Sequence, residues 1–324
     1  MCDNYDAIFA EFWQWRLEES PYYAVLCGDH SQKGRLNSWS LETVESRLDT
    51  GRVLIKRLRR LKGSTSNEGV DENLEVTKNA LDELDGKTSL DVVLLLHELN
   101  TYVQGLEANA FCFPMGIFDH PITAVNRMLL SVKLDDDFDL EAAFATMRAV
   151  PRAMEEVTAV FRRGIELAMT FHAVTFYGMV TNLEKTNGTP ADEFGWVTTL
   201  SKRLEKGDSN NNKDGDRSEK ADKFLNRVKD LIETEIRPAI TRFIEFLKQE
   251  YVAHLRPDIA ISSLPVPEGQ LDLYSHCLRF HIDLPMTPKE VHDLGWKEIE
   301  RIETEMHVMS SFCGWGFPTC TPIT

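Results

Sequence analysis

Nine histidines, six cysteines and 52 Asp plus Glu residues supply ample donors for a metal or hydrolytic site, provided spacing brings them together. A zinc-hydrolase helix needs two His at i and i+4 with a Glu after the first. Both imidazoles then face one ion, and the carboxylate can activate its water. His97-Glu98 begins this pattern, but Thr101 stands at i+4 and His97 lies off the apolar stripe of its own segment. His276 and His281 are five residues apart, which is wrong for one helical face. Glu303 and His307 do share a face, yet no further ligands accompany them. The residue patterns compose no complete metal site.

One polar stretch matches another template. Asp208, Asn210, Asn212, Asp214, Asp216 and Glu219 fall at positions 1, 3, 5, 7, 9 and 12 of a calcium loop. Lys213 occupies the position where such a loop turns on glycine, and Gly215 occupies an apolar position. A flexible polar insertion over 207–219 is therefore the plainer reading, with calcium as the weaker alternative. Asp135-Asp136-Asp137 with Asp139 reads as a solvated turn into a helix, Asp139 at or near its cap. Nothing resembles G-x-S-x-G, a P-loop or a glycine-rich dinucleotide turn. Cys2, Cys27, Cys112, Cys277, Cys313 and Cys320 are scattered without C-x-x-C spacing, as expected of free thiols in a reducing compartment.

The 324 residues carry 36 Lys plus Arg, for a formal net charge of −16. That field repels phosphate backbones and anionic membranes, which argues against nucleic-acid binding. The most apolar window, Leu167 to Leu183, is too short and too polar to span a bilayer. The N-terminus shows no basic region followed by an apolar stretch, so the expected location is cytoplasmic.

The elements that must hold any site are helical almost throughout. Tyr5, Ile8, Phe9, Phe12 and Trp13 form one stripe of an opening helix. Ser40 caps a helix running to about Leu61, and further helices fit Glu68 to Leu84 and a segment beginning near Ser89. Leu140 to Ala149, Arg152 to Lys185 and Asp192 to Glu205 follow, then Glu219 to Tyr251 with a kink at Pro238. A Pro-rich connection over 257–267 includes a short extended candidate, Ile259 to Leu264. The last helix has a capping box, Thr287-Pro288-Lys289-Glu290, and an apolar face of Val291, Leu294, Ile302, Met306 and Met309. The expected fold class is all-α.

The C-terminal third carries a further pattern. It reads Pro267-x-Gly269, Tyr274, Leu278-Arg279-x-His281, Thr287-Pro288-x-Glu290-Val291-His292-x-Leu294-Gly295, Glu298-Ile299-x-Arg301-Ile302 and Glu305-Met306. Ser20-Pro21-x-x-Ala24, Gly28-Asp29 and Gln249-Glu250-Tyr251 support it upstream. The chain resembles the domain-of-unknown-function family 885 over 1–314, with 315–324 as an irregular tail. The resemblance implies an all-α fold similar to helical zinc metallopeptidases. It also implies that zinc in full-length members is held by a segment downstream of the matched block, which has no counterpart here. Tyr274, His281 and His292 match positions near the expected peptide-binding cleft.

The resulting expectation is the N-terminal portion of a metallopeptidase-like protein, with no metal or cofactor of its own and no catalysis on its own. In that case Val291, Ile302, Met306 and Met309 remain partly exposed. The alternative is a helical interaction module that uses this face for self-association or partner binding. A third reading is an unconventional active site built on His276, His281 or His292.

Overall fold

The computed structural model describes residues 4–61, 90–207, 215–269, 272–282, 284 and 286–313. Among them are helices and short helical turns and no strand. The fold class is all-α. The chain divides into two compact units, Met1–Leu273 and Tyr274–Thr324.

The first unit contains two cores. The smaller is built by α1 (Tyr5–Glu19), α3 (Leu41–Leu61) and α4 (Leu90–Glu107), with a short α2 (Pro21–Leu26) after α1. Ile8, Leu54, Leu58, Val92, Leu95, Leu96, Leu99 and Val103 close it. Gly51 lets α3 and α4 approach, since a Cβ there would meet Val103 Cγ2 at 2.6 Å. Ser40 caps α3 as its sequence suggests, its Oγ accepting from the Thr43 amide at 3.1 Å. On α1 the buried stripe differs from expectation. Trp13 is 46% exposed, and Trp15 packs instead, edge-on to Tyr102 at 5.9 Å. Trp13 lies about 140° around the helix from Ile8, beyond the width of the buried sector.

The larger core gathers α5 (Pro121–Ser131), α6 (Asp137–Arg148), α7 (Val150–Glu166), α8 (Ala173–Gly188), α9 (Gly195–Gly207), α10 (Gly215–Leu231) and α11 (Arg237–Gln249). Its centre is aromatic. Phe161 stands 4.8 Å from Tyr251, 5.6 Å from Phe171 and 5.6 Å from Phe243, ring centre to ring centre. The buried Tyr251 hydroxyl accepts from the Phe171 amide at 2.9 Å, and burial pushes its pKa well above the ordinary phenol range. Glu250 takes Arg162 in a two-pronged pair at 2.9 and 3.0 Å. The Gln249-Glu250-Tyr251 pattern thus ties the end of α11 to α7 and to the turn after it.

That turn corrects the expectation of one helix over Arg152 to Lys185. The helix stops after Glu166 because Ala168 takes a left-handed backbone, φ 56°, and the Met169 amide bonds back to the Gly164 carbonyl at 2.8 Å. A left-handed alanine costs about 1–2 kcal/mol and a glycine's extra chain entropy about 0.5–1. Ala168 is exposed, so Ala168→Gly is expected to raise stability by about 0.5–1 kcal/mol in urea unfolding. A loss of stability would refute that account of the turn.

Pro238 does break the long helix, as its sequence indicates. A π-helical turn, Ile232–Ile236, separates α10 from α11 and takes up the backbone bond that proline cannot donate. The acidic run corrects a further expectation. Asp136, not Asp139, caps α6, and Asp139 is 5% exposed and bonded to Lys33 at 2.5 Å. The extended piece expected at Ile259 to Leu264 is a 3-10 turn, Ile261–Ser263, because Ser263 bonds back to the Ala260 carbonyl. The helix expected over 68–84 and the tail over 315–324 lie outside the described residues.

Candidate functional site

The second unit carries α12 (Leu273–Ile282, whose first residue closes the first unit) and α13 (Pro288–Cys313). Two of the three cleft candidates lie on α12. Tyr274, 41% exposed, and the exposed His281 are seven residues apart, two helical turns, and so share a face. Phe280, 61% exposed, meets the His281 ring edge-on at 5.1 Å. His276 on the same helix is buried.

His292 lies on α13 and is exposed. Its Nε2 accepts from Trp296 Nε1 at 3.1 Å, and its Nδ1 lies 3.7 Å from Asp293 Oδ1. The Trp296 bond requires a lone pair on Nε2, which puts the proton of the neutral ring on Nδ1, facing Asp293. Lys289, bonded to Asp293 at 2.5 Å, holds that carboxyl below its usual range.

The capping box at the start of α13 forms as its sequence reads. Glu290 Oε2 accepts from the Thr287 amide at 2.7 Å and from its hydroxyl at 2.8 Å, and the hydroxyl accepts from the Glu290 amide at 3.3 Å. The Thr287 amide bond is the main cause of the lowered Glu290 pKa. Arg301 bridges Glu298 at 2.8 Å and Glu305 at 2.7 Å, adding side-chain support along the helix.

The apolar residues of α13 occupy one sector. On a helical wheel Val291, Ile299, Ile302, Met306 and Met309 fall within about 80°, with the His292–Trp296 pair at one edge. The Glu298–Arg301–Glu305 ladder runs along the other edge. Ile299 is 44% exposed, Ile302 45%, Met306 52% and Met309 66%, while Val291 is half-buried. Ile299 belongs to this face by the same helical period, whereas Trp296 and Leu294 each lie about 60° beyond it on opposite sides.

The calcium template falls mostly outside the described residues. Asp208, Asn210, Asn212 and Asp214 lie outside the described residues, and Asp216 and Glu219 belong to α10, so 215–219 is helical. Glu219 pairs with Lys223 at 2.6 Å. Among the described residues no three His, Cys, Asp or Glu side chains converge in a way that would hold a metal ion. The described residues therefore do not make up a zinc site. No described helix is long and apolar enough to cross a membrane.

The geometry defines a class first: an all-α array ending in an amphipathic helix with an exposed apolar sector. The chain belongs to the family described as bacterial protein of unknown function (DUF885), whose model matches residues 21–315. No curated protein matches it. Among solved structures it is similar to the putative lipoprotein from Colwellia psychrerythraea, at TM-score 0.73 and 13% identity. The match covers 97% of this chain and 51% of that one, so the chain spans about half the length of the structure it resembles.

Proposed function

We propose that this chain is the helical N-terminal portion of a metallopeptidase-like member of its family, without hydrolytic activity by itself. Its last helix serves as a docking face for another helical surface of the same family. The observation that carries this reading is the exposed sector of Ile299, Ile302, Met306 and Met309 on α13. A face of this kind, bordered by charged residues, fits an apolar helix laid along it. That the chain spans half of its structural neighbour supports the same reading, because the other half would supply such a surface. In the longer form, Tyr274, His281 and His292 would border a peptide groove, and zinc would be held by residues other than those described here. The thiols of Cys27 and Cys112 fit a reducing, cytoplasmic setting.

In solution without a partner, the complementary surface available is a second copy. Light scattering coupled to size-exclusion chromatography is expected to show concentration-dependent association. Ile302→Glu combined with Met306→Glu is expected to weaken it about a hundredfold or more, by removing apolar area and adding like charge across the seam. A monomer at every concentration would refute the docking face. One tightly bound zinc per chain, or peptide hydrolysis sensitive to a chelator, would refute the non-catalytic reading separately.

A further inference from the structure

The segment joining α2 to α3 is held along most of its length. Lys33 bonds Asp139 at 2.5 Å, and Gly34, at φ 78°, lies 3.5 Å from the Ala145 side chain where its own Cβ would be. Leu36 is buried. Asn37 donates to Ser20 Oγ at 3.1 Å and accepts from the Tyr22 amide at 3.0 Å. The Ser38 hydroxyl and the Trp39 amide both donate to Glu156 Oε2, at 3.1 and 2.8 Å. A connecting segment this heavily bonded is rigid, and rigid loops on a helical scaffold are where binding groups are held.

Beside it lies a cavity of about 320 Å³, walled in part by Glu18, Glu19, Arg35, Ser38, Thr43 and Arg152. That volume is at the lower end of the range for small-molecule sites. The charges in the wall are not all spent. Glu19 is neutralised by Arg47 at 2.5 Å. Glu18 accepts from the Gln14 amide at 2.6 Å and has no cationic partner among the described residues. Arg35 donates to Gln32 Oε1 at 2.5 Å and has no carboxylate partner among the described residues. Arg152 reaches Glu156 only at 3.5 Å, and the other oxygen of that carboxylate is already engaged by Ser38 and Trp39. Glu18, Arg35 and Arg152 therefore line one small cavity with hydrogen-bonding capacity to spare.

We propose that this cavity binds a small zwitterion, a free α-amino acid or a dipeptide, with its carboxylate on Arg35 and Arg152 and its ammonium on Glu18. Guanidinium groups match the planar, two-pronged geometry of a carboxylate, and Glu18 supplies the acceptor an ammonium needs. A simple anion would meet Glu18 and the negative field of the chain, and a simple cation would meet both arginines. Only a ligand carrying both charges satisfies both ends. Pro21 and Ala149 also line the cavity and offer aliphatic surface for a small apolar side chain. This site lies wholly in the first unit and stands independently of the docking face on α13.

Titration calorimetry on the whole chain tests the proposal with alanine, alanyl-alanine, N-acetylalanine and alanine amide as probes. At least one of the two zwitterions is expected to bind, and the tighter of them reports the length the cavity accepts. Each singly charged probe is expected to bind about tenfold more weakly or worse. Arg35→Gln and Glu18→Gln should each weaken the zwitterion about tenfold. Their melting temperatures should match the parent, since both side chains are exposed. Absence of heat with both zwitterions at millimolar concentration would overturn the proposal. Equal binding of N-acetylalanine, or undiminished binding by both variants, would also overturn it.

Discussion

Phe161→Ala is expected to destabilise the protein by about 3–5 kcal/mol, a large fraction of the stability of an ordinary domain. Phe161 is fully buried on α7, where it meets Phe171, Phe243, Phe246 and Tyr251. Those rings come from three separate stretches of chain: the turn after α7, α11 and the turn after α11. Truncation removes the apolar transfer energy of the ring and leaves a cavity that packed aromatic neighbours refill poorly. Urea unfolding followed by circular dichroism should show a lower midpoint with an unchanged slope. A loss below about 1 kcal/mol would mean that the neighbouring rings collapse into the space and that Phe161 is not the centre of this core.

Asp139→Ala is expected to cost about 2–3 kcal/mol at neutral pH, less than a fully buried pair because Lys33 keeps a quarter of its side chain in water. Asp139 has two duties. It pairs with Lys33, and its second oxygen accepts from the Asp135 amide at 3.1 Å. The Lys33 bond is the main reason its pKa lies below the usual carboxylate value. A depressed folded-state value means that this contribution is complete above the unfolded value, about 3.9, and fades as pH falls through the folded one. Stability curves of parent and variant should therefore run parallel near neutrality and converge below about pH 4. Curves that stay parallel into strong acid would show that the carboxylate charge contributes nothing.

Local chemistry in this chain is readable from the residues themselves. The Ser40 cap, the Thr287–Glu290 capping box and the break at Pro238 each depend on groups within four residues, and each forms as the sequence indicates. The period of Val92, Leu95, Leu96, Leu99 and Val103 finds their buried face for the same reason. Where the reading fails, a distant partner decides. Asp139 looks like one of several solvated aspartates until Lys33, more than a hundred residues earlier in the chain, reaches it. Trp13 and Trp15 are equally apolar in sequence; Trp15, seven residues from Ile8, shares its face, and Tyr102 on α4 packs against it. Ala168 gives no sign that a helix ends there, because alanine is the best of helix formers and its left-handed turn is imposed by the packing around it.

The same division holds for the sites. The sequence by itself determined an acidic, all-α chain of its family, with a well-capped final helix whose apolar sector follows from a 3.6-residue period. Periodicity and capping are short-range properties, so no neighbour was needed to read them. Tertiary structure alone decided that Glu18, Arg35 and Arg152 border one cavity. Those three residues are scattered over more than 130 positions and carry no motif. Their meeting depends on how α1, the bonded segment after α2 and the start of α7 pack, which is a matter of long-range contacts that no local pattern encodes.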